Sequence, residues 1–271
     1  MRRRSRQPRR SARESLQWGI YLIPSLFTVG NMLCGFAAVV HAIHGRLTLA
    51  AWLLILAGVL DGLDGRIARL TRATSEFGKE YDSLADVISF GIAPAILIYQ
   101  WGLWNLGRGG WAVAFLFLVA GSVRLARFNV TVATSDREHF TGLPIPAGAG
   151  ALSVLVLVQP ALPLGNPLVN YTACAFVLLV SLLMVSKIPY RSYKDFNLRR
   201  RWPATAFFVL AVAIAVIAVS PVPTMAVLCA AYLLSGPVEV VGRRRCTQLS
   251  PATAPLEGTH GEPPPTRADG P

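Results

Sequence analysis

The chain has 271 residues, 53% of them hydrophobic and only 15% charged, with a mean hydropathy of +0.48. This balance excludes an ordinary soluble domain and a disordered chain, and it fits an all-α polytopic membrane protein. Lys and Arg number 26 against 14 Asp and Glu, so the formal net charge is +12.

In chain order, residues 1–19 form a basic segment carrying Arg2, Arg3, Arg4, Arg6, Arg9, Arg10 and Arg13. Such a run suits either a nucleic-acid arm or a topology signal drawn to anionic lipid headgroups. The apolar run that follows favours the second, so no nucleic-acid partner is expected. That run is too long for a cleavable signal peptide, and "PSLFTVGN" is unlike a cleavage region. Eight apolar runs follow, at roughly 21–43, 47–64, 84–104, 111–130, 145–162, 170–187, 204–220 and 222–240. Each approaches the ~20 residues that cross a hydrocarbon core of about 30 Å. The fifth opens on "GLPIPAGAG", whose prolines imply a break before the span, an interfacial entry or a Gly/Pro-rich loop. The last two runs, joined by "SPVPT", read as a hairpin over 204–241 behind a catalytic core of 20–203. Residues 242–271 lack apolar periodicity and read as a disordered tail.

Eight spans put both termini on one side. With the N-terminus in the cytoplasm, every Lys and Arg except Arg46 and Arg108 lies on that side, 24 of the 26. This is the positive-inside pattern. All 14 acidic residues fall on the same side. The chemistry is therefore expected at the cytoplasmic face of the cytoplasmic (inner) membrane. Cys34, Cys174, Cys229 and Cys246 show no metal-site spacing, and neither a disulfide nor a zinc site is expected.

Four acids concentrate in "LDGLDGRIARLTRATSEFGKEYDSLADVIS", residues 60–89. On a helix Asp61 and Asp64 share a face, as do Asp82 and Asp86. Two antiparallel neighbouring helices would bring these pairs together. A lone Asp at a helix end is usually a cap or a solvated residue, but ionisable residues in spans are functional by default. Converging carboxylates repel, and burial adds to the cost unless a cation offsets it. All-oxygen ligands suit Mg²⁺ or Mn²⁺, and two such ions suit phosphoryl-group chemistry. Gly62, Gly65 and Gly78 leave room for a bulky ligand. Arg66, Arg69, Arg72 and Lys79 are candidates to hold phosphate oxygens.

The pattern D-x2-D-G-x2-A-R-x8-G-x3-D-x3-D is filled by Asp61, Asp64, Gly65, Ala68, Arg69, Gly78, Asp82 and Asp86. It resembles the signature of the CDP-alcohol phosphatidyltransferases without a departure. The resemblance implies a six-helix membrane core, here with about two extra C-terminal helices, usually dimeric. It also implies transfer of a phosphatidyl group from a CDP-linked lipid to an alcohol, with release of CMP. By motif position, Asp61, Asp64 and Asp82 would be metal ligands, and Asp86 the general base and a further ligand. Gly65, Ala68, Arg69, Ser75 and Gly78 would line the CDP-lipid pocket. The family's P-N-x2-T element in the first span is matched by Pro24 and Thr28, while Ser25 replaces its asparagine. Pro24 also suits a helix start.

Outside the signature, "GNMLCGF" (30–36), "RLARFNV" (124–130), "FTGLPIPAGAG" (140–150) and "KIPYRSYKDF" (187–196) resemble integral-membrane bacterial phosphatidylserine synthases. That resemblance implies CDP-diacylglycerol and L-serine as substrates. Arg124, Arg127 and Asn129 are candidates for the acceptor or a phosphate; both arginines also suit a role as interfacial anchors. Lys187, Arg191 and Lys194 suit a headgroup or topology role better. Two rivals remain: a sister enzyme using glycerol 3-phosphate or inositol (phosphate), and a membrane ion transporter.

Overall fold

A computed structural model describes the backbone of residues 12–71, 76–133, 142–158, 167–188, 190 and 215–249, with side chains from Leu26 onward except near the gaps and beyond residue 238. All regular structure among the described residues is helical. Among the described residues six helices are long and apolar enough to cross a membrane, so the chain is an integral membrane protein.

α1 (Ala12–Ile43) and α2 (Leu47–Thr71) form a long hairpin. Its tight turn needs a left-handed residue, and Gly45 supplies it at φ 74°. The amide of Arg46 closes the turn by donating to the carbonyl of His41 at 2.9 Å. Ala38, Ala42, Ala50, Ala51 and Ala57 are all buried on these two helices. Small side chains allow close backbone approach, which drives helix association where lipid is as apolar as the interface.

Among the described spans the third is the most buried, half of its apolar stretch lying inside the fold, and the last is the least. The third span comprises α3 (Glu76–Asp86), a π-helical stretch over Val87–Ile92 and α4 (Ala93–Trp101). The helix thus begins at Glu76, not near residue 84 as expected from hydropathy. "EFGKEYD" supplies good helix formers and a polar face that hydropathy alone does not count. α2 likewise runs to Thr71 instead of ending near 64. The four aspartates therefore sit within helices and not at span ends.

A 3₁₀ turn (Leu103–Leu106) leads into α5 (Arg108–Ala133). The fifth apolar run forms α6 over Ile145–Leu157, only 13 residues. At 1.5 Å per residue it spans roughly 20 Å, short of a full crossing. Pro144 precedes this helix and Pro146 lies in its first turn, where a missing amide costs nothing. "AGAG" is thus helical, not loop. Just upstream Gly142, at φ 86°, donates its amide to the carbonyl of Ile188 at 2.8 Å, and Leu143 donates to Leu183 at 3.0 Å. These bonds tie the "GLPIP" stretch to the end of α7 (Pro167–Val185).

The final helix, α8 (Pro221–Leu249), passes residue 241 and takes in the first part of the expected tail. Most of the seventh apolar run lies outside the described residues, where only 215–219 are seen as helix. α8 packs on α6 and is pinned by Tyr190. The Tyr190 hydroxyl donates to the carbonyl of Leu233 at 3.2 Å, and its ring lies against Gly236 with no room for a side chain there.

Candidate active site

α1, α2 and α3 converge where the acidic residues stand. One carboxylate oxygen from each of Asp61, Asp64 and Asp82 lies within 4.8 Å of the other two. The i, i+3 spacing turns Asp61 and Asp64 to one face of α2, and α3 brings Asp82 against it. Asp64 is only 4% exposed, and its Oδ2 accepts a hydrogen bond from Thr28 Oγ1 at 3.1 Å. Asp82 Oδ1 is buried and has no hydrogen-bond donor among the described residues. Asp86, one turn further along α3, is half-buried and senses the charges of Asp61, Asp82 and Asp64. Its Oδ1 accepts from Asn31 Nδ2 at 3.5 Å.

This donor set fits a hard divalent cation. The ligand atoms are all oxygen, they converge from two helices, and one of them is a buried orphan acceptor. Among the described residues, added Cβ atoms on Gly62 and Gly65 would meet nothing within 4 Å.

Other expected site residues divide. Gly78 is half-buried on α3. Lys79 is exposed and paired with Glu76 at 2.7 Å, so it is engaged away from the carboxylates. Arg66 is exposed on α2. The side chains of Pro24, Ala68 and Arg69, and the whole of Arg72 and Ser75, lie outside the described residues. On α5, Arg124 is half-buried, lies 6.0 Å from the Phe128 ring centroid and leaves a buried Nε without a partner among the described residues. Arg127 is exposed and makes a 3.4 Å bond to the carbonyl of Val185. Asn129 Nδ2 donates to Ser83 Oγ at 2.9 Å, which ties α5 to α3.

The family model for CDP-alcohol phosphatidyltransferase matches residues 21–185, the stretch that holds all four aspartates. The chain belongs to the CDP-alcohol phosphatidyltransferase family. Members of this family are generally dependent on divalent metals, in keeping with the acidic cluster. The chain is 38% identical over 217 residues to the CDP-diacylglycerol–serine O-phosphatidyltransferase of Helicobacter pylori, covering 80% of this chain and 90% of that one. It is 32% identical over 234 residues to the enzyme of the same name from Mycobacterium tuberculosis, covering 84% and 82%. The archaetidylserine synthase of Methanothermobacter thermautotrophicus is 39% identical over 171 residues, 62% of this chain and 69% of that one.

Sequence reasoning missed three polar residues of this phosphatidyltransferase. They are Asn31 and Ser89, each with 0% exposure, and Ser83. A signal for Asn31 was present, since it stands three residues after Thr28 on one face of an apolar span. Ser89 carried none, because it meets Asn31 only through the packing of the π-helical stretch on α1.

Proposed function

We propose that this chain transfers the phosphatidyl group of CDP-diacylglycerol to the hydroxyl of L-serine, giving phosphatidylserine and CMP. The observation that carries the reading is the convergence of Asp61, Asp64 and Asp82 within 4.8 Å at the family signature. The serine enzymes named above, matched over most of their length, supply the acceptor.

Asp61, Asp64, Asp82 and Asp86 would hold two Mg²⁺ or Mn²⁺ ions, which offset charge on the pyrophosphate and the departing CMP. Thr28 holds Asp64 in its ligating orientation through the 3.1 Å bond. Gly62 and Gly65, with no side chain of their own, would leave room for the nucleotide end. By motif position, Pro24, Ala68, Arg69, Ser75 and Gly78 would complete that pocket. Asp86 accepts the serine hydroxyl proton as the oxygen forms its bond to the phosphorus that bears diacylglycerol. The bond from that phosphorus to the bridging oxygen breaks, and CMP departs with it. Arg124, whose Nε has no partner among the described residues, would face the serine carboxylate. Arg127 and Asn129 border that side.

The active site and both termini face the cytoplasm in the inner membrane, as the Lys and Arg distribution favours. The donor enters laterally from the lipid, and the working form is a homodimer. The test is an acceptor panel. Purified protein with CDP-diacylglycerol and Mn²⁺ or Mg²⁺ is expected to release CMP with L-serine, and not with glycerol 3-phosphate, inositol or inositol phosphate. Release with another alcohol and none with serine would reject the serine assignment. CMP release of any kind would reject an ion transporter. An ether-linked CDP-lipid in the same assay tells the ester donor from the archaeal one.

A further inference from the structure

Asn31 stands on the inner face of α1 with 0% exposure. One end of its planar amide, Nδ2, donates to Asp86 Oδ1 at 3.5 Å. The other end, Oδ1, is buried and has no hydrogen-bond partner among the described residues. Buried amide oxygens are nearly always matched, so an orphan beside a catalytic carboxylate calls for a ligand.

The residue is held from behind. Ser89 Oγ donates to the backbone carbonyl of Asn31 at 3.1 Å. Gly35, one turn along α1, lies so close to Ser89 that an added Cβ would stand 2.5 Å from its Oγ. Ser89 belongs to the π-helical stretch that begins directly after Asp86. Extra residues of this kind inside helices are frequent at functional sites. Asn31 and Asp86 are therefore fixed against each other by the same helix contact, and Oδ1 cannot easily turn to another partner.

We propose that Asn31 is a specificity residue for the acceptor: its amide N–H orients Asp86, and its Oδ1 accepts a hydrogen bond from the acceptor's ammonium group. The inference rests on the serine reading above. In serine the ammonium is borne by the carbon next to the one that carries the hydroxyl. A hydroxyl placed at Asp86 thus brings the ammonium beside the neighbouring amide. A neutral amide oxygen accepts that N–H without adding a further negative charge to the cluster. Glycerol 3-phosphate and inositol offer no ammonium and would leave this oxygen with a weaker partner or none. A site built to hydrogen-bond a substrate group rejects analogues that lack it.

The test compares wild type with Asn31→Leu, an apolar side chain of similar size, on two acceptors. One is L-serine. The other is 3-hydroxypropionate, which keeps the hydroxyl and the carboxylate and lacks the ammonium. In the variant the serine KM is expected to rise about tenfold or more, as for loss of one hydrogen bond to a charged group. The CDP-diacylglycerol KM stays at its wild-type value, and the preference for serine over 3-hydroxypropionate collapses. An unchanged serine KM overturns the proposal. So does an equal loss of affinity for serine and CDP-lipid, the mark of a merely structural role. Where Asn31→Leu does not fold, the preference is read in Asn31→Ser, and an unaltered preference there overturns the proposal too. A wild type that uses another alcohol and not serine rejects the serine reading, and with it an ammonium at this position.

Discussion

Asp61, Asp64 and Asp82 reach one another within 4.8 Å from two consecutive helices, whereas Arg124, Arg127 and Asn129, all near the end of α5, go to three different surroundings. The carboxylates converge because i, i+3 spacing selects one face of α2, and α3 packs beside it on α1. The α5 residues have no such constraint. Arg124 is half-buried beside Phe128, Arg127 stays exposed and Asn129 braces Ser83 on α3. Spacing along one helix thus selects a face, but it does not select which neighbour each side chain meets.

The largest expected effect lies on the carboxylate side. Asp86→Asn is expected to lower kcat by about 10²–10⁴-fold, the usual contribution of a general base. Equilibrium binding of CDP-diacylglycerol should remain. Normal turnover in this variant would remove Asp86 as the base and blur the contrast between the two sides.

Behind both sides, the seat of α1 against the π-helical stretch depends on a bare glycine. Gly35→Ala places a methyl group 2.5 Å from Ser89 Oγ and 2.7 Å from its Cα. Overpacking of this kind costs about 1–3 kcal/mol. Thermal unfolding in detergent should show the loss, with activity falling because Asn31 and Asp86 shift together. An unchanged melting temperature would mean that the two helices can move apart freely.

On the acceptor side the two arginines should separate. Arg124→Lys removes a planar guanidinium from a half-buried place, and about a tenfold rise in serine KM is expected. Arg127→Lys, at an exposed position with one long bond, should stay within roughly twofold. Equal effects of the two, read as serine KM, would erase the distinction drawn from their burial. The smallest effect is expected from Thr28→Val, which takes one donor from Asp64. Loss of that bond is worth about 1 kcal/mol, or several-fold in the divalent-ion concentration needed for half-maximal activity.

The carboxylate side was the legible part of the sequence. Its four aspartates, two glycines and one arginine lie within one short stretch of α2 and α3, so local helical geometry was enough to put each aspartate pair on one helix face. The family motif put Thr28 in the nucleotide pocket, and its bond to Asp64 was not foreseen from it. The span ends were not. Hydropathy undercounts "EFGKEYD" because a helix can leave the lipid and continue with a polar face, as α3 does. For the fifth run the end of the expected span, 159–162, lies outside the described residues. Its described helix ends at Leu157 after 13 residues. The insertion of a π-helical stretch at Val87–Ile92 has no sequence signature at all, since it reflects how Ser89, Phe90 and Gly91 are buried against neighbouring helices. Asn31 fell in the same blind spot, a polar residue whose partners come from 55 and 58 positions away.

The central claim is that Asp61, Asp64 and Asp82 form the divalent-ion centre for phosphatidyl transfer to serine. It is tested most directly by serine-dependent CMP release from CDP-diacylglycerol, titrated with Mn²⁺ in wild type and in Asp82→Asn. The expected result is saturable, Mn²⁺-dependent release by the wild type, and a loss of at least about 10²-fold in the variant, comparable to removing a transition-state charge stabiliser elsewhere. Release that needs no divalent ion, or that survives undiminished in Asp82→Asn, would contradict it.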